Sequence, residues 1–263
     1  MVPIFEIFGK QMSVYMLLAL IGVLLVLFFG YKRAEKTALD EFKMLYVTLW
    51  AFVGTVIGGH ILYGITQFSS MISFFKLLSA GEIDTFDNFM IGFQQVFGGS
   101  VFYGGLIGAM ISAGIYAKVA NLSSDYFDIG ACMIPLFHTF GRVGCFLSGC
   151  CYGVESKIGF VYHYAPDSVA NGVRRFPIQL VEALFNLILF IVIFYLLRKS
   201  KMKGKLFLLY LLFYSIIRFT LEFFRGDVIR GHLWIFSTSQ WISILIFIPA
   251  VLLLILKFRQ KQN

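Results

Sequence analysis

"HTFGRVGCFLSGCCYG", residues 138–153, decides how this chain is read. The stretch closes a long apolar segment, yet it carries His138, Arg142, Cys145, Cys150 and Cys151. Polar and charged side chains are expensive in hydrocarbon. Residues of this kind at the end of an apolar run either staple a loop or act on something.

The composition around the stretch sets the class. Of 263 residues, 59% are hydrophobic, 14% are charged and 31 are phenylalanine, whereas a soluble domain carries about 25% charged residues. The chain reads as an all-α integral membrane protein, a single transmembrane domain over 1–263, with no polar stretch long enough to build a soluble domain. The net charge of +8 does not point to nucleic acid, because the basic residues sit in short clusters at the ends of apolar runs: "KRAEK" at 32–36, "RKSKMKGK" at 198–205 and "KFRQKQN" at 257–263. That is the pattern of loops retained in the cytoplasm, with anionic lipid headgroups as the natural partner.

Seven transmembrane helices fit, near 13–31, 44–64, 101–120, 127–147, 177–197, 206–224 and 238–257. With the N-terminus outside and the C-terminus cytoplasmic, all three basic clusters fall inside. The first run is about 19 residues long and its basic cluster follows it, which reads as a retained helix rather than a cleaved secretion signal. Two extracytoplasmic segments are long. Residues 65–100 hold apolar patches too short to span, expected to lie in the interface. Residues 148–176 are expected to form an outer-face cap.

Helical spacing gathers the polar residues into stripes. His138, Arg142 and Cys145 share a face, as do Gln179, Glu182 and Asn186, then Tyr214, Arg218, Glu222 and Arg225, and in the second helix His60, Tyr63 and Gln67. The stripes either glue helices together or face one another around a wet cavity. Glue suffices for Gln179 and Asn186. It explains Arg142, Arg218 and Arg225 less well, since Glu182 and Glu222 neutralise at most two of them. An anion site follows, and a guanidinium fork suits phosphate. Gly104 and Gly108, like Gly54 and Gly58, have the spacing of close helix contact.

The cysteines leave several readings open. Cys132 is expected to be a buried small hydrophobe. Cys145 with Cys150 or Cys151 could form a disulfide, one of them could be a thiolate activated by Arg142, or they could simply pack. Zinc is the less favoured reading, because C-x4-CC matches no common zinc spacing. No metal and no cofactor are expected.

Five segments, in order, resemble the prolipoprotein diacylglyceryl transferase family: "GGLIG" at 104–108, "GRVGCFLSGCCYG" at 141–153, "RFPIQLVEA" at 175–183, "IIRFTLEFFRGD" at 216–227 and "STSQWISI" at 237–244. The resemblance covers about 13–257. It implies a seven-helix enzyme of the bacterial cytoplasmic (inner) membrane that moves the diacylglyceryl group of phosphatidylglycerol onto a lipobox cysteine thiol of a prolipoprotein, releasing glycerol phosphate. It implies catalytic roles for Arg142, Arg218 and Glu222, with Tyr103 and His60 as further candidates. Substrate binding falls to Tyr214, Arg225, Arg175, Gln179, Glu182, Gly104, Gly105, Cys145, Cys150 and Cys151. Partners are phosphatidylglycerol, a prolipoprotein or other thiol acceptor, and membrane lipids, and the protein is expected to be a monomer.

The chain departs from the family at Tyr103, where a histidine is usual, at Cys145 for asparagine, at Cys150 for an acid, and at His60 for arginine. These departures keep alternatives open: another acceptor, a route through an enzyme cysteine, or a non-catalytic phospholipid binder or transporter.

Overall fold

A computed structural model describes residues 4–7, 10–227 and 232–259, with the side chains of residues 4–12, 102–103 and 232–233 outside the description. Its helices are α1 (Val14–Glu35), α2 (Glu41–Thr66), α3 (Phe68–Ser79), α4 (Phe86–Phe97), α5 (Phe102–Val119), α6 (Ser124–Ser148), α7 (Ile178–Arg198), α8 (Leu206–Leu221) and α9 (Thr238–Arg259). Three antiparallel strand pairs join them: β1 (Ile4–Ile7) with β2 (Lys10–Ser13), β3 (Glu155–Val161) with β4 (Arg174–Arg175), and β5 (His232–Leu233) with β6 (Phe236–Ser237).

Six of the helices, α1, α2, α6, α7, α8 and α9, are long and apolar enough to cross a membrane. The expected span at 101–120 corresponds to α5, whose described part, Gly104–Val119, falls among the shorter apolar helices. The apolar patches within residues 65–100 are helical. They form α3 and α4, of 12 residues each, about 18 Å long at 1.5 Å per residue and too short to span a core of about 30 Å.

The chain divides into two compact units, Met1–Thr37 with Ser124–Asn263, and Ala38–Ser123. The second unit is built on α2 and α5. Asp40 caps α2 by accepting from the Lys43 amide at 3.0 Å, with Glu41 adding a negative charge in the first turn. The two helices then meet backbone to backbone. A Cβ on Gly58 would lie 2.2 Å from the Gly104 carbonyl oxygen, and one on Gly108 would lie 2.0 Å from that of Gly54. Ser112 Oγ donates across the same contact to the Trp50 carbonyl at 2.7 Å. The glycine spacing read from the sequence is therefore a close packing of two helices. Phe74, Phe89, Phe93 and Phe97 run as a chain of ring contacts with centroids 5.0–5.9 Å apart along α3 and α4. Phe68, Phe75, Phe86 and Ile91 of these helices are exposed, which suits helices lying at a lipid interface.

In the first unit, one end collects α1's C-terminus, α6's N-terminus, α7's C-terminus, α8's N-terminus and α9's C-terminus. Arg33 donates to the Leu197 carbonyl at 3.0 Å. Lys257 donates to the Gly204 carbonyl at 2.5 Å. Asp128, 2% exposed, accepts from the amides of Gly204 and of Leu206, the latter at 3.0 Å. One carboxylate thus caps α8 from a different helix and satisfies donors that would otherwise be orphaned. Basic clusters occupy this end, and the β3–β4 pair occupies the other. Between them lies a core of Ala131, Cys132, Leu189, Ile193, Leu206, Tyr210 and Tyr214, with Cys132 fully buried as expected of a small hydrophobe. Replacing Asp128 by alanine should cost about 3 kcal/mol, the scale of two charge-assisted hydrogen bonds lost in a buried site. The loss would be read as a lower thermal unfolding midpoint in detergent, and an unchanged midpoint would rule out the capping role.

Candidate active site

The residues after α6 fold back over the helix ends. Cys150 N–H returns to the Cys145 carbonyl at 3.1 Å, closing the last turn. Gly149 and Cys151 both take left-handed backbone conformations, φ 73° and φ 58°, a region that suits glycine and strains cysteine. Gln179, the first polar residue of α7's stripe, clamps this loop by donating to the Cys150 carbonyl at 2.8 Å and to the Tyr162 hydroxyl at 3.2 Å. Gly153 then pairs with Arg225, and a Cβ on Gly226 would lie 2.4 Å from the Gly153 oxygen. This backbone approach carries Arg225 to the helix ends.

There the stripes of α6, α7 and α8 meet. Glu182, 1% exposed, is the hub. Arg142 Nη2 lies 2.9 Å from its Oε1, His138 Nε2 lies 3.7 Å from the same oxygen, and Arg225 Nη1 lies 3.9 Å from Oε2. Arg225 also makes a bidentate pair with Asp227 at 2.8 and 2.9 Å. One turn apart on the α8 face, Arg218 Nη2 and Glu222 Oε2 are 2.6 Å apart. Tyr214 packs its ring 5.4 Å from His138. Arg218 stands within electrostatic reach of Glu182 and His138, which joins the two ion pairs into one cluster.

Asp227 changes the charge count. Three guanidiniums face three carboxylates, so the surplus of positive charge expected from Glu182 and Glu222 alone is not present. The donors are nonetheless not used up. Arg142 Nε, Arg218 Nη1 and Arg225 Nη1 are buried without a hydrogen-bond partner among the described residues. Buried N–H groups left unpaired cost about 1–3 kcal/mol each, more for charged ones, and an incoming phosphate oxygen would relieve that cost.

α9 also contributes. Ser237 and Gln240 form a capping box, with Gln240 N–H reaching Ser237 Oγ at 3.2 Å and Ser237 N–H reaching Gln240 Oε1 at 2.9 Å. The same Ser237 hydroxyl donates to Glu222 Oε1 at 2.8 Å, and Ser239 Oγ accepts from Arg218 at 3.0 Å. The signal was in "STSQ", an S-x-x-Q helix start.

Arg175 lies elsewhere. It is buried in the β3–β4 hairpin, 4.9 Å over the Tyr152 ring, and donates to the Val169 carbonyl at 2.6 Å. Its bonding is that of a hairpin strut, and its Nε is buried without a hydrogen-bond partner among the described residues. Tyr152, buried under the hairpin, donates to Asp167 Oδ2 at 2.5 Å. Burial, then this bond, pushes the Tyr152 hydroxyl up to about 12. The Tyr152 bond, helped by the Val169 amide, holds the Asp167 carboxyl below the usual carboxylate range. A depressed carboxylate contributes stability above its unfolded pKa of about 3.9 and loses it as pH falls through the folded value. Hydrogen exchange at residues 167–171 should therefore accelerate in acid below that pKa. In Asp167→Asn the acid step should vanish, and its persistence would refute the assignment.

Cys145, Cys150 and Cys151 are free thiols, and their sulfurs all lie within 4.8 Å of one another. Arg142 and Arg225 stand within electrostatic reach of Cys151.

His60, Gly104 and Gly105 belong to the other unit and are described within it. His60 Nδ1 meets the carbonyls of Phe97 at 2.7 Å and Gly99 at 2.8 Å. Both partners are acceptors, so Nδ1 is the donor. Gly104 faces the α2 backbone, and a Cβ on Gly105 would meet Thr55 at 3.1 Å. Tyr103 sits in the first turn of α5, and its side chain lies outside the described residues.

Fold and site together define a polytopic helical membrane protein with a buried arginine–carboxylate cluster where three of its long helices meet. The chain belongs to the prolipoprotein diacylglyceryl transferase family, whose model matches residues 3–256. It is 32% identical over 254 residues to phosphatidylglycerol--prolipoprotein diacylglyceryl transferase 2 of Clostridium perfringens (strain 13 / Type A), covering 94% of this chain and 92% of that one. It is similar to the phosphatidylglycerol--prolipoprotein diacylglyceryl transferases of Clostridium tetani (strain Massachusetts / E88), 29% identical with 98% of each chain covered, and of Idiomarina loihiensis (strain ATCC BAA-735 / DSM 15497 / L2-TR), 31% identical with 96% and 91% covered.

Proposed function

We infer that the chain is a transferase that moves the diacylglyceryl group of phosphatidylglycerol onto the thiol of a prolipoprotein's lipobox cysteine and releases glycerol phosphate. The carrying observation is the cluster of Arg142, Arg218 and Arg225, each with a buried N–H awaiting an acceptor, in a chain of this family. In this reading the three guanidiniums bind the phosphodiester and stabilise the negative charge that builds on the departing oxygen. Glu182 and Asp227 hold two of the forks in place, and Ser237 and Ser239 orient Glu222 and Arg218. The imidazole of His60, the phenolate of Tyr103 and the carboxylate of Glu222 are the candidates for taking the acceptor's proton. Tyr214 seats the substrate beside His138, while Arg175 and Gln179 act by holding the hairpin and loop. Gly104 and Gly105 keep α5 close to α2.

The chain is read as one transmembrane domain of seven spans in the bacterial cytoplasmic membrane, α5 being the seventh. Its N-terminus and the β3–β4 cap are outside and its C-terminus is in the cytoplasm, as the basic end of the first unit supports. It is read as a monomer.

The test is direct transfer. Purified protein with phosphatidylglycerol and a lipobox peptide should yield the thioether peptide and glycerol phosphate in equal amounts, read by mass spectrometry. Phospholipid binding without product would overturn the reading in favour of a binder or transporter.

A further inference from the structure

The three thiols that the sequence spacing left unassigned are brought together by the fold. In an extended chain, adjacent residues project to opposite sides. Here the left-handed backbone at Cys151 turns the chain so that its sulfur and that of Cys150 approach Cys145 on α6. A strained conformation at a non-glycine residue persists when the surrounding structure over-determines it, and such strain collects at functional sites. The Cys150 carbonyl is clamped by Gln179, and the following Gly153 is locked against Gly226, so the loop that presents the thiols is held on both sides.

We propose that Cys145, Cys150 and Cys151 form a three-thiolate site for zinc, whose fourth position takes the acceptor thiol. This deepens the transferase reading and rests on it. Zinc–sulfur bonds of about 2.3 Å at tetrahedral angles set sulfurs about 3.8 Å apart, within reach of a cluster whose sulfurs all lie inside 4.8 Å. Three protein ligands leave one position open, the arrangement of catalytic rather than structural zinc sites. Three thiolates around a divalent cation carry one net negative charge, and the Arg142 and Arg225 guanidiniums stand within electrostatic reach of it. Three sulfurs also suit a soft metal better than a disulfide, which would strand one thiol.

The chemistry balances. The acceptor R–SH gives its proton to one of the bases named above, the Glu222 carboxylate among them, as its sulfur takes the fourth position. The sulfur lone pair then forms the S–C bond to the glyceryl carbon of phosphatidylglycerol. The bond from that carbon to the phosphate oxygen breaks, and its electron pair leaves with glycerol phosphate. Nothing is oxidised or reduced, and zinc is not consumed. Such a site would supply the thiolate in a chain that has tyrosine where its family has a histidine.

The experiment is metal binding by the whole detergent-purified protein. Zinc retained after gel filtration should amount to about one per chain. Cobalt in its place should show thiolate-to-cobalt charge-transfer absorption that shifts when lipobox peptide is added. Cys145→Ser, Cys150→Ser and Cys151→Ser should each weaken binding at least tenfold with the helical circular dichroism unchanged, while Cys132→Ser keeps it. A wild-type chain that holds no zinc yet transfers lipid overturns the site and leaves the function intact. So does a disulfide among the three found by mass spectrometry without reductant, or a cobalt spectrum indifferent to the peptide. Zinc and peptide binding without transfer would overturn the transferase reading and leave the site standing.

Discussion

Arg142→Ala should reduce lipid transfer at least a hundredfold while the protein still inserts and folds. Two effects act in the same direction. The substitution removes a donor from the group that charges up in the transition state, and losing one such donor costs about 100–1,000-fold in rate. It also strips Glu182 of its nearest cation, at 2.9 Å, leaving a buried carboxylate with weaker partners among the described residues, His138 at 3.7 Å, Arg225 at 3.9 Å and the more distant Arg218. Breaking a buried pair from one side costs about 3–5 kcal/mol. The two effects are separated by Arg142→Ala/Glu182→Gln, which removes the stranded charge. That double variant should recover the thermal midpoint and stay inactive. Recovered transfer would mean that Arg142 serves Glu182 and not the phosphate. Arg142→Lys should be nearly as inactive as alanine, because a single ammonium does not reproduce the guanidinium fork.

The second large effect concerns folding. Gly58→Val should prevent accumulation of folded protein, since its first added atom would sit 2.2 Å from the Gly104 carbonyl oxygen. A side-chain neighbour could rotate away, but this neighbour is helix backbone, already engaged along α5. Overpacking costs about 1–3 kcal/mol in ordinary cores and more where nothing yields, so the cost here belongs at or beyond the upper figure. Gly114→Val, on the same α5 but with nothing within 4 Å of its added Cβ, is the control and should be neutral. Fluorescence-detected size exclusion and thermal unfolding would check both, and a Gly58→Val protein with a normal midpoint would mean that the two helices do not meet through these glycines.

Helix positions were largely legible because hydropathy and basic clusters are sequence-local. The expected runs at 127–147 and 177–197 fall within a few residues of α6 and α7. The short helices α3 and α4 were legible as apolar patches too short to span though not as helices, because 12 residues carry little periodicity. Within the site, the stripes of α6 and α7 and the Tyr214–Arg218 face of α8 were legible since one helical face is a fixed spacing, whereas Arg225 lies past the helix on extended backbone and reaches the cluster through its pairing with Gly153. Asp227 was missed as Arg225's partner because it lies beyond the helix, where periodicity says nothing. Ser237 and Ser239 were missed because their role depends on which helix α9 packs beside. Arg175 was assigned to substrate binding by the family resemblance, and its place in the β3–β4 hairpin was not legible because that pairing joins segments outside any one periodic run.

The pairing of each guanidinium with a carboxylate has a consequence for turnover. A cluster that balances its own charges is stable while it waits, and a phosphodiester with one negative charge enters as a modest competitor for forks already engaged. Glycerol phosphate carries nearly two charges near neutral pH, so the same forks grip it harder than they gripped the lipid. The enzyme would then pass quickly through its first cycle and slow afterwards, with escape of the small anion to water as the step that sets its pace. Glu182, Glu222 and Asp227, by reclaiming their arginines, are what would drive that escape.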